Sequence, residues 1–199
     1  MGQVFNLPNA LDGRLKTCPT NCVTSDGQNL IWKSLIRPVL FSLPAEPIHY
    51  ASMNIFSGIS ALPLARSMFS SQYVVKDSRL QQQLFGLDFE NPVGLAAGFD
   101  KNARWIPQLA SLGFGHVEVG TITGQQQSGN PKPRLFRLPA DKALLNRMGF
   151  NNDGSQLAAE RLEALEKKGR PENCCLGINI GKTKVVPLCL LYTSDAADE

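Results

Sequence analysis

The residues best placed to do chemistry lie in the stretch NPVGLAAGFDKN, from Asn91 to Asn102. Gly94, Ala96, Ala97 and Gly98 carry almost no side chain, so a flat ring can lie against this backbone. Phe99-Asp100-Lys101-Asn102 follows at once, and Lys101 brings a cation that can reach an anion. A short apolar run ending in a charge cluster is the pattern of a buried parallel strand that delivers its loop to a ligand. The same residues also describe a tight turn after a core strand, and taken alone they leave both readings open. Metal chemistry has little footing. Cys18, Cys22, Cys174, Cys175 and Cys189 are odd in number, two of them are adjacent, and none pairs with His49 or His116 at a metal-ligand spacing. Cys18-x-x-x-Cys22 lacks a second pair to complete a zinc site, so free thiols in a reduced compartment are expected.

A chain of 199 residues suits one domain plus an extension, and the composition is that of a globular protein. The formal net charge is only +3 and the Lys and Arg residues are scattered, which gives a phosphate backbone nothing to hold; nucleic-acid binding is not expected. No run approaches the roughly 20 apolar residues that span a bilayer. The N-terminus is polar and broken by prolines, unlike a signal or transit peptide, so any membrane contact is expected to be peripheral.

The elements that must position Lys101 follow from periodicity. Residues 1–29 show little and are expected to be disordered or extraneous to the fold. From Leu30 to Phe69, Ile31, Leu35 and Leu40 suggest one short helix. Ile48, Ala51, Ile55 and Ile59 suggest another, the two joined by a proline-rich elbow. These helices either cap the domain or form an amphipathic plate on a membrane, with Trp32, Tyr50 and Phe56 at the interface and Lys33 and Arg37 toward anionic lipid. Gln72 to Arg79 is a polar linker. Two apolar stretches about Glu90-Asn91 suggest a hairpin leading into the first main strand. A helix from Asn102 carries Trp105, Leu109 and Leu112 on one face and stops at Gly113. His116–Ile122 is a second strand. Leu135–Leu138 and Ala143–Asn146 form an inserted hairpin. Asp153 is the expected N-cap of a helix burying Ala158, Leu162 and Leu165, and Cys175–Gly181 is a third strand.

Alternating strands and helices, with strands ending in Phe99-Asp100-Lys101, Gly120-Thr121 and Asn179-Ile180-Gly181-Lys182, give an α/β fold: about three strands from the N-terminal part of a (β/α)8 TIM barrel, preceded by a small helical domain. A doubly wound sheet is the alternative, but a G-x-G-x-x-G turn after its first strand is missing.

NPVGLAAGFDKN, then GFGHVEVGTIT, GNPKPRLFRLP, LLNRMGFNNDG and LGINIGK closely resemble, in order and spacing, dihydroorotate dehydrogenase of the quinone-dependent, membrane-associated class, from about Leu30 to Lys182. The resemblance implies a helical, quinone- and membrane-facing domain at 30–71 and a partial FMN-binding barrel at 72–187. It implies oxidation of dihydroorotate to orotate in pyrimidine biosynthesis, with electrons passed to a membrane quinone. It puts Ala97, Gly98, Phe99, Asp100, Lys101, Thr121 and Asn179 at the flavin. Lys101, Asn146, Arg147, Met148, Gly149 and Phe150 fall at the substrate, and His49 and Arg137 at the quinone passage. It also implies a peripheral position on the cytoplasmic face of a bacterial inner membrane, or on the mitochondrial inner membrane in a eukaryote. For Thr121 a strand-end cap, and for His49 an ordinary interfacial histidine, remain the plain alternatives. The soluble class, another FMN barrel, or a non-catalytic membrane-associated fragment are the competing functions. Soluble relatives lack the helices at Leu30–Phe69.

The sequence also departs from the family. A (β/α)8 barrel takes about 250 residues. The family's serine base, in an Asn-rich loop after the fourth strand, has no counterpart here, so no catalytic residue is assigned. Residues 188–199 match nothing in the family and are expected to be a non-native tail, and Gly124 stands where many relatives have proline. Three strands leave an open edge and an uncovered interior, so these residues alone are expected neither to hold FMN tightly nor to turn over.

Overall fold

The computed structural model of the chain describes residues 3–5 and 30–185. In chain order the elements are β1 (Gln3–Phe5), a π-helical turn α1 (Trp32–Ile36), α2 (Arg37–Ser42), α3 (Ala45–Ser60), α4 (Pro63–Tyr73), β2 (Gln82–Leu84) and β3 (Leu87–Phe89). There follow β4 (Gly94–Leu95), α5 (Ile106–Ser111), β5 (His116–Thr123), β6 (Leu135–Leu138), β7 (Ala143–Asn146), α6 (Ser155–Lys168) and β8 (Cys175–Gly181). They divide into two compact units, one within Met1–Ser52 and Pro131–Met148, the other within Met53–Asn130 and Gly149–Glu199. The β6–β7 hairpin falls in the first unit with α1, α2 and the first half of α3, and α4 falls in the second.

In the first unit, Leu43 is extended (φ −99, ψ 154) because the ring of Pro44 disfavours helix in the residue before it, and α2 stops there. The expected hairpin is present, with Leu135 opposite Asn146 and Leu138 opposite Ala143. β1 pairs antiparallel with the other edge of β7, Gln3 opposite Asn146. Apart from Gln3–Phe5, the expectations for 1–29 and 188–199 lie outside the described residues.

The second unit is built on a parallel sheet in the order β4-β5-β8, with Gly94 opposite His116 and His116 opposite Cys175. Helices α5 and α6 both pack on β5. Val117 and Val119 lose all exposure against them, with Trp105, Ile106, Leu109 and Ala158 completing the core. Each such aliphatic side chain contributes about 1.5–3 kcal/mol when removed from water. Gly115 is required by close approach, since a Cβ there would collide with the Asn91 carbonyl oxygen.

Four expectations are corrected. The hairpin before the sheet turns on Phe85 (φ 55) and Gly86 (φ 74), not on Glu90-Asn91, because a two-residue turn of a right-twisted hairpin needs positive φ at both positions. The 30–69 region holds four helical segments rather than two; Pro63 opens α4 as a first-turn proline, and that helix runs to Tyr73, into the expected linker. In α3 the buried residues are Ala45 and, at spacings of seven, Glu46, Met53 and Ser60, while Ile55 and Ile59 are exposed. Helix α5 starts at Ile106, because Asp100 ties up the backbone before it.

Candidate functional site at the strand ends

In the second unit the C-terminal ends of the three parallel strands lie side by side, and their backbones are cross-linked. Gly98 N–H donates to the Gly120 carbonyl (2.8 Å), and Gly120 N–H donates to the Asp100 carbonyl (2.9 Å). Gly98 (φ 107) and Gly120 (φ 111) occupy a region that L side chains rarely adopt, and the Gly120-Thr121 peptide is cis. A Cβ on Gly98 would meet nothing within 4 Å, so open space lies over this turn.

Asp100 is 1% exposed and its carboxylate faces the chain's own backbone. Oδ1 accepts from the N–H groups of Asn102 (3.2 Å) and Arg104 (3.0 Å), and Oδ2 from that of Trp105 (2.7 Å). Three otherwise orphaned donors are thereby satisfied, and the loop that carries Lys101 is fixed. Lys101, half-buried, donates from Nζ to Asn151 Oδ1 (3.2 Å). Along the sheet, Thr121 Oγ1 donates to Asn179 Oδ1 (2.6 Å), and Asn179 Nδ2 donates to Glu118 Oε1 (3.0 Å). Glu118 Oε2 accepts from the Ala97 N–H (3.4 Å).

A second network holds the loop after Phe150. Asn152 Nδ2 donates to Thr123 Oγ1 (2.9 Å) and to the Phe150 carbonyl (2.7 Å), while its Oδ1 accepts from the Thr123 N–H (3.2 Å). Gly149 (φ 73) sits so close to Asn130 that a Cβ would press on its backbone nitrogen at 2.8 Å. Phe150 is exposed with φ 52.

Asp153 is not the N-cap of α6; Gly154 occupies that position. The Asp153 carboxylate instead meets Arg104 (2.6 Å) and Arg161 (2.7 Å), while its N–H donates to Asn102 Oδ1 (2.8 Å). Burial raises the Asp153 carboxyl, but hydrogen bonds and charge from Arg104 and Arg161 outweigh it and hold the group below its ordinary value. A lowered folded value contributes stability that is present above the unfolded value of about 3.9 and is lost as pH falls through the folded one. D153N is therefore expected to be less stable than the unaltered protein by up to about 1 kcal/mol at pH 7, the site being only partly screened from water. The gap closes toward pH 3 in thermal unfolding; a pH-independent gap would show that the ion pairs contribute nothing.

The remaining expected site residues lie in the first unit. Asn146, half-buried, ends β7, and Met148 is half-buried two residues on. The Arg147 guanidinium donates to the Pro133 carbonyl (3.2 Å). Half-buried His49 lies edge-on to Tyr50, with centroids 5.3 Å apart. Arg137 donates to the Leu43 carbonyl (2.8 Å) and stacks over Phe41, its guanidinium carbon 4.6 Å from the ring centre. Ala97, Gly98, Phe99, Asp100, Lys101, Thr121, Asn179, Gly149 and Phe150 belong to the second unit, and Asn146, Arg147, Met148, His49 and Arg137 to the first.

Sequence reasoning did not single out Glu118, Asn151 or Asn152. A Glu between Val117 and Val119 in an apolar strand was a usable signal, since alternation sends it to the opposite face from the buried valines. The expected free thiols are Cys174 and Cys175 among the described residues; burial, with the neighbouring Cys175, pushes Cys174 up to about 11.

The arrangement is that of an α/β protein with a glycine turn, open on one side, at the ends of a parallel sheet. A family model described as Dihydroorotate dehydrogenase matches residues 79–192. Curated relatives called dihydroorotate dehydrogenase (quinone) include one from Christiangramia forsetii, 50% identical over 157 residues covering 79% of this chain and 44% of that protein. Another, from Natronomonas pharaonis, is 49% identical over 150 residues, covering 75% and 41%. The DHODH of Eimeria tenella, solved in complex with ferulenol, superposes with a TM-score of 0.54 at 42% identity, over 67% of this chain and 40% of that one. This chain belongs to the dihydroorotate dehydrogenase family. It spans less than half the length of the curated relatives it matches.

Proposed function

We propose that the chain carries the first part of an FMN-dependent (β/α)8 barrel that oxidises dihydroorotate to orotate and passes the electrons to a membrane quinone, in pyrimidine biosynthesis. The observation that carries this reading is the convergence of Ala97, Gly98, Gly120, Thr121 and Asn179 at adjacent strand ends, with Lys101 Nζ steadied by Asn151 beside them. These residues fit a flavin ring: the space above Gly98 is open, the nearby side chains are small, and the donors are an amide, a hydroxyl and an ammonium. When bound, FMN supplies the hydride acceptance and the electron transfer onward. Lys101 offers a compact positive charge to the substrate carboxylate and to the ring edge where negative charge gathers. Asn146 offers an amide donor and acceptor to the ring amides of dihydroorotate, and Gly149 lets backbone approach. Asp100 acts by shaping the loop rather than by touching ligand.

Among the described residues no helix is long and apolar enough to cross a membrane. Leu30, Ile31, Leu35, Ile36 and Val39 are nonetheless exposed along α1, α2 and the turn before them. That apolar surface favours peripheral membrane contact, and so the quinone-linked class, on the cytoplasmic face of a bacterial inner membrane or on the mitochondrial inner membrane. His49 and Arg137, in the unit that carries these helices, are assigned to the quinone passage.

The test is to exchange the matched region of the Christiangramia forsetii relative for residues 30–185 and purify the product. Bound FMN that bleaches with dihydroorotate and recovers with a quinone supports the reading. A folded product without flavin, or one indifferent to dihydroorotate, sinks it. In that protein K101A is expected to weaken FMN about tenfold, the scale of one charge-assisted hydrogen bond, as read by quenching of flavin fluorescence. An unchanged affinity would remove Lys101 from the flavin site.

A further inference from the structure

We propose that Glu118 is a positioning residue, one that sets which atoms of Asn179 and Thr121 face the flavin; this rests on the flavin reading above. An asparagine amide can lie either way round, and only its hydrogen-bond partners decide between the two. Glu118 decides here, because an ionised carboxylate accepts and never donates. Its Oε2 takes the Ala97 N–H at 3.4 Å, and its Oε1 draws Asn179 Nδ2 toward it at 3.0 Å. Asn179 Oδ1 must then point the other way, where it accepts the Thr121 hydroxyl hydrogen at 2.6 Å.

The consequence is a defined polar edge. Among the described residues Asn179 Nδ2 donates to Glu118, which leaves its second hydrogen for a ligand. Thr121 has given up its hydrogen and presents lone pairs. The same carboxylate tethers the Ala97 backbone beside the open space over Gly98. One side chain thus couples the loop after β4 to β5 and β8 at the level where the ring is placed. Glu118 sits in the middle of β5 with Val117 and Val119 buried on the other side, so its orientation is fixed by the strand itself.

A glutamine at this position could not reproduce the arrangement. Ala97 and Asn179 reach different oxygens of the carboxylate, and a glutamine in the same pose puts an NH2 group at one of those two positions, so one of the two donors meets a donor instead of an acceptor. Relief comes from turning the Asn179 amide over, which reverses donor and acceptor toward the ligand. A role exerted through Asn179 disappears once Asn179 is removed, whereas a general structural role does not.

The experiment is a double-mutant cycle in the grafted flavoprotein described above, with E118Q, N179A and the double variant, each titrated with FMN and each melted without it. E118Q and N179A are each expected to weaken FMN about tenfold. The double variant is expected to be no more than about twofold weaker than N179A alone, and E118Q to shift the visible flavin bands, which respond to hydrogen bonds on the ring. Losses that multiply to about a hundredfold, or an E118Q protein that binds FMN as tightly as the unaltered one, overturn the proposal while leaving the flavin reading intact. An unaltered graft that folds without flavin overturns both. If E118Q does not fold, the cycle is read with E118D, whose carboxylate still only accepts but sits one methylene short; the same non-additivity is expected, and additivity again overturns the proposal.

Discussion

Replacing Asp100 by asparagine is expected to lower the stability of the second unit by about 2–4 kcal/mol and to weaken FMN binding with it. The carboxylate is 1% exposed and accepts from three backbone N–H groups, those of Asn102, Arg104 and Trp105. Hydrogen bonds to a charged acceptor contribute about 1.5–3 kcal/mol each, and a buried donor left unsatisfied costs about 1–3 kcal/mol. The substituted amide would keep one acceptor oxygen and set an NH2 group against at least one of those donors. D100A leaves all three N–H donors without the carboxylate and is expected to fall further. The damage reaches the ligand because the Asp100 carbonyl holds the Gly120 N–H and the next residue is Lys101. Trp105, 3% exposed, gives a local readout: its fluorescence in a W32F background should report a lower urea midpoint for D100N. A loss below about 1 kcal/mol would mean that Lys101 is held by something other than this cap.

How much of this could be read from the chain depends on the range of the interactions. The strands at His116–Thr123 and Cys175–Gly181, the β6–β7 hairpin and the helix ending at Gly169 show in periodicity and turn residues, which are local properties. The Lys101 loop was visible because small residues followed by charge are rare inside an apolar run. The hairpin turn was misplaced because Phe85, a bulky residue, takes positive φ where Asn or Gly is the usual signal. Asp153 looked like a helix cap, and locally it is a good one. Arg104, 49 residues away in sequence, competes for the same carboxylate and wins. Asn151, Asn152 and Glu118 were missed for a related reason. Their meaning lies in partners such as Lys101, Thr123 and Asn179, and an asparagine in a loop carries no mark of which distant side chain it will orient.

Breaking the Glu46–Arg134 pair is expected to have the largest effect on stability, about 3–5 kcal/mol for E46A or R134M alone. Both side chains are buried, at 8% and 6% exposure, and the contact is two-pronged: Arg134 Nε to Glu46 Oε2 at 3.0 Å and Nη2 to Oε1 at 2.6 Å. Glu46 lies in the first turn of α3, where a negative charge is also favoured by the helix dipole, and Arg134 directly precedes β6. The pair therefore joins the helical segment of the first unit to its hairpin, across 88 residues of sequence. Removing one partner leaves the other a buried charge without the counter-ion that this two-pronged contact supplies. Lys132 Nζ, 3.9 Å from Glu46 Oε1 and exposed, can offset little of that. Removing both is a different matter, because the large desolvation penalty of the two charges disappears together with their attraction. E46L/R134M is accordingly expected to lie within about 2 kcal/mol of the unaltered protein, far less than the sum of the single losses. Urea titrations followed at Trp32 in a W105F background would report the unit concerned. Single losses that simply add in the double variant would show that the two residues are not energetically coupled. The hairpin would then owe its place to the apolar contacts around it.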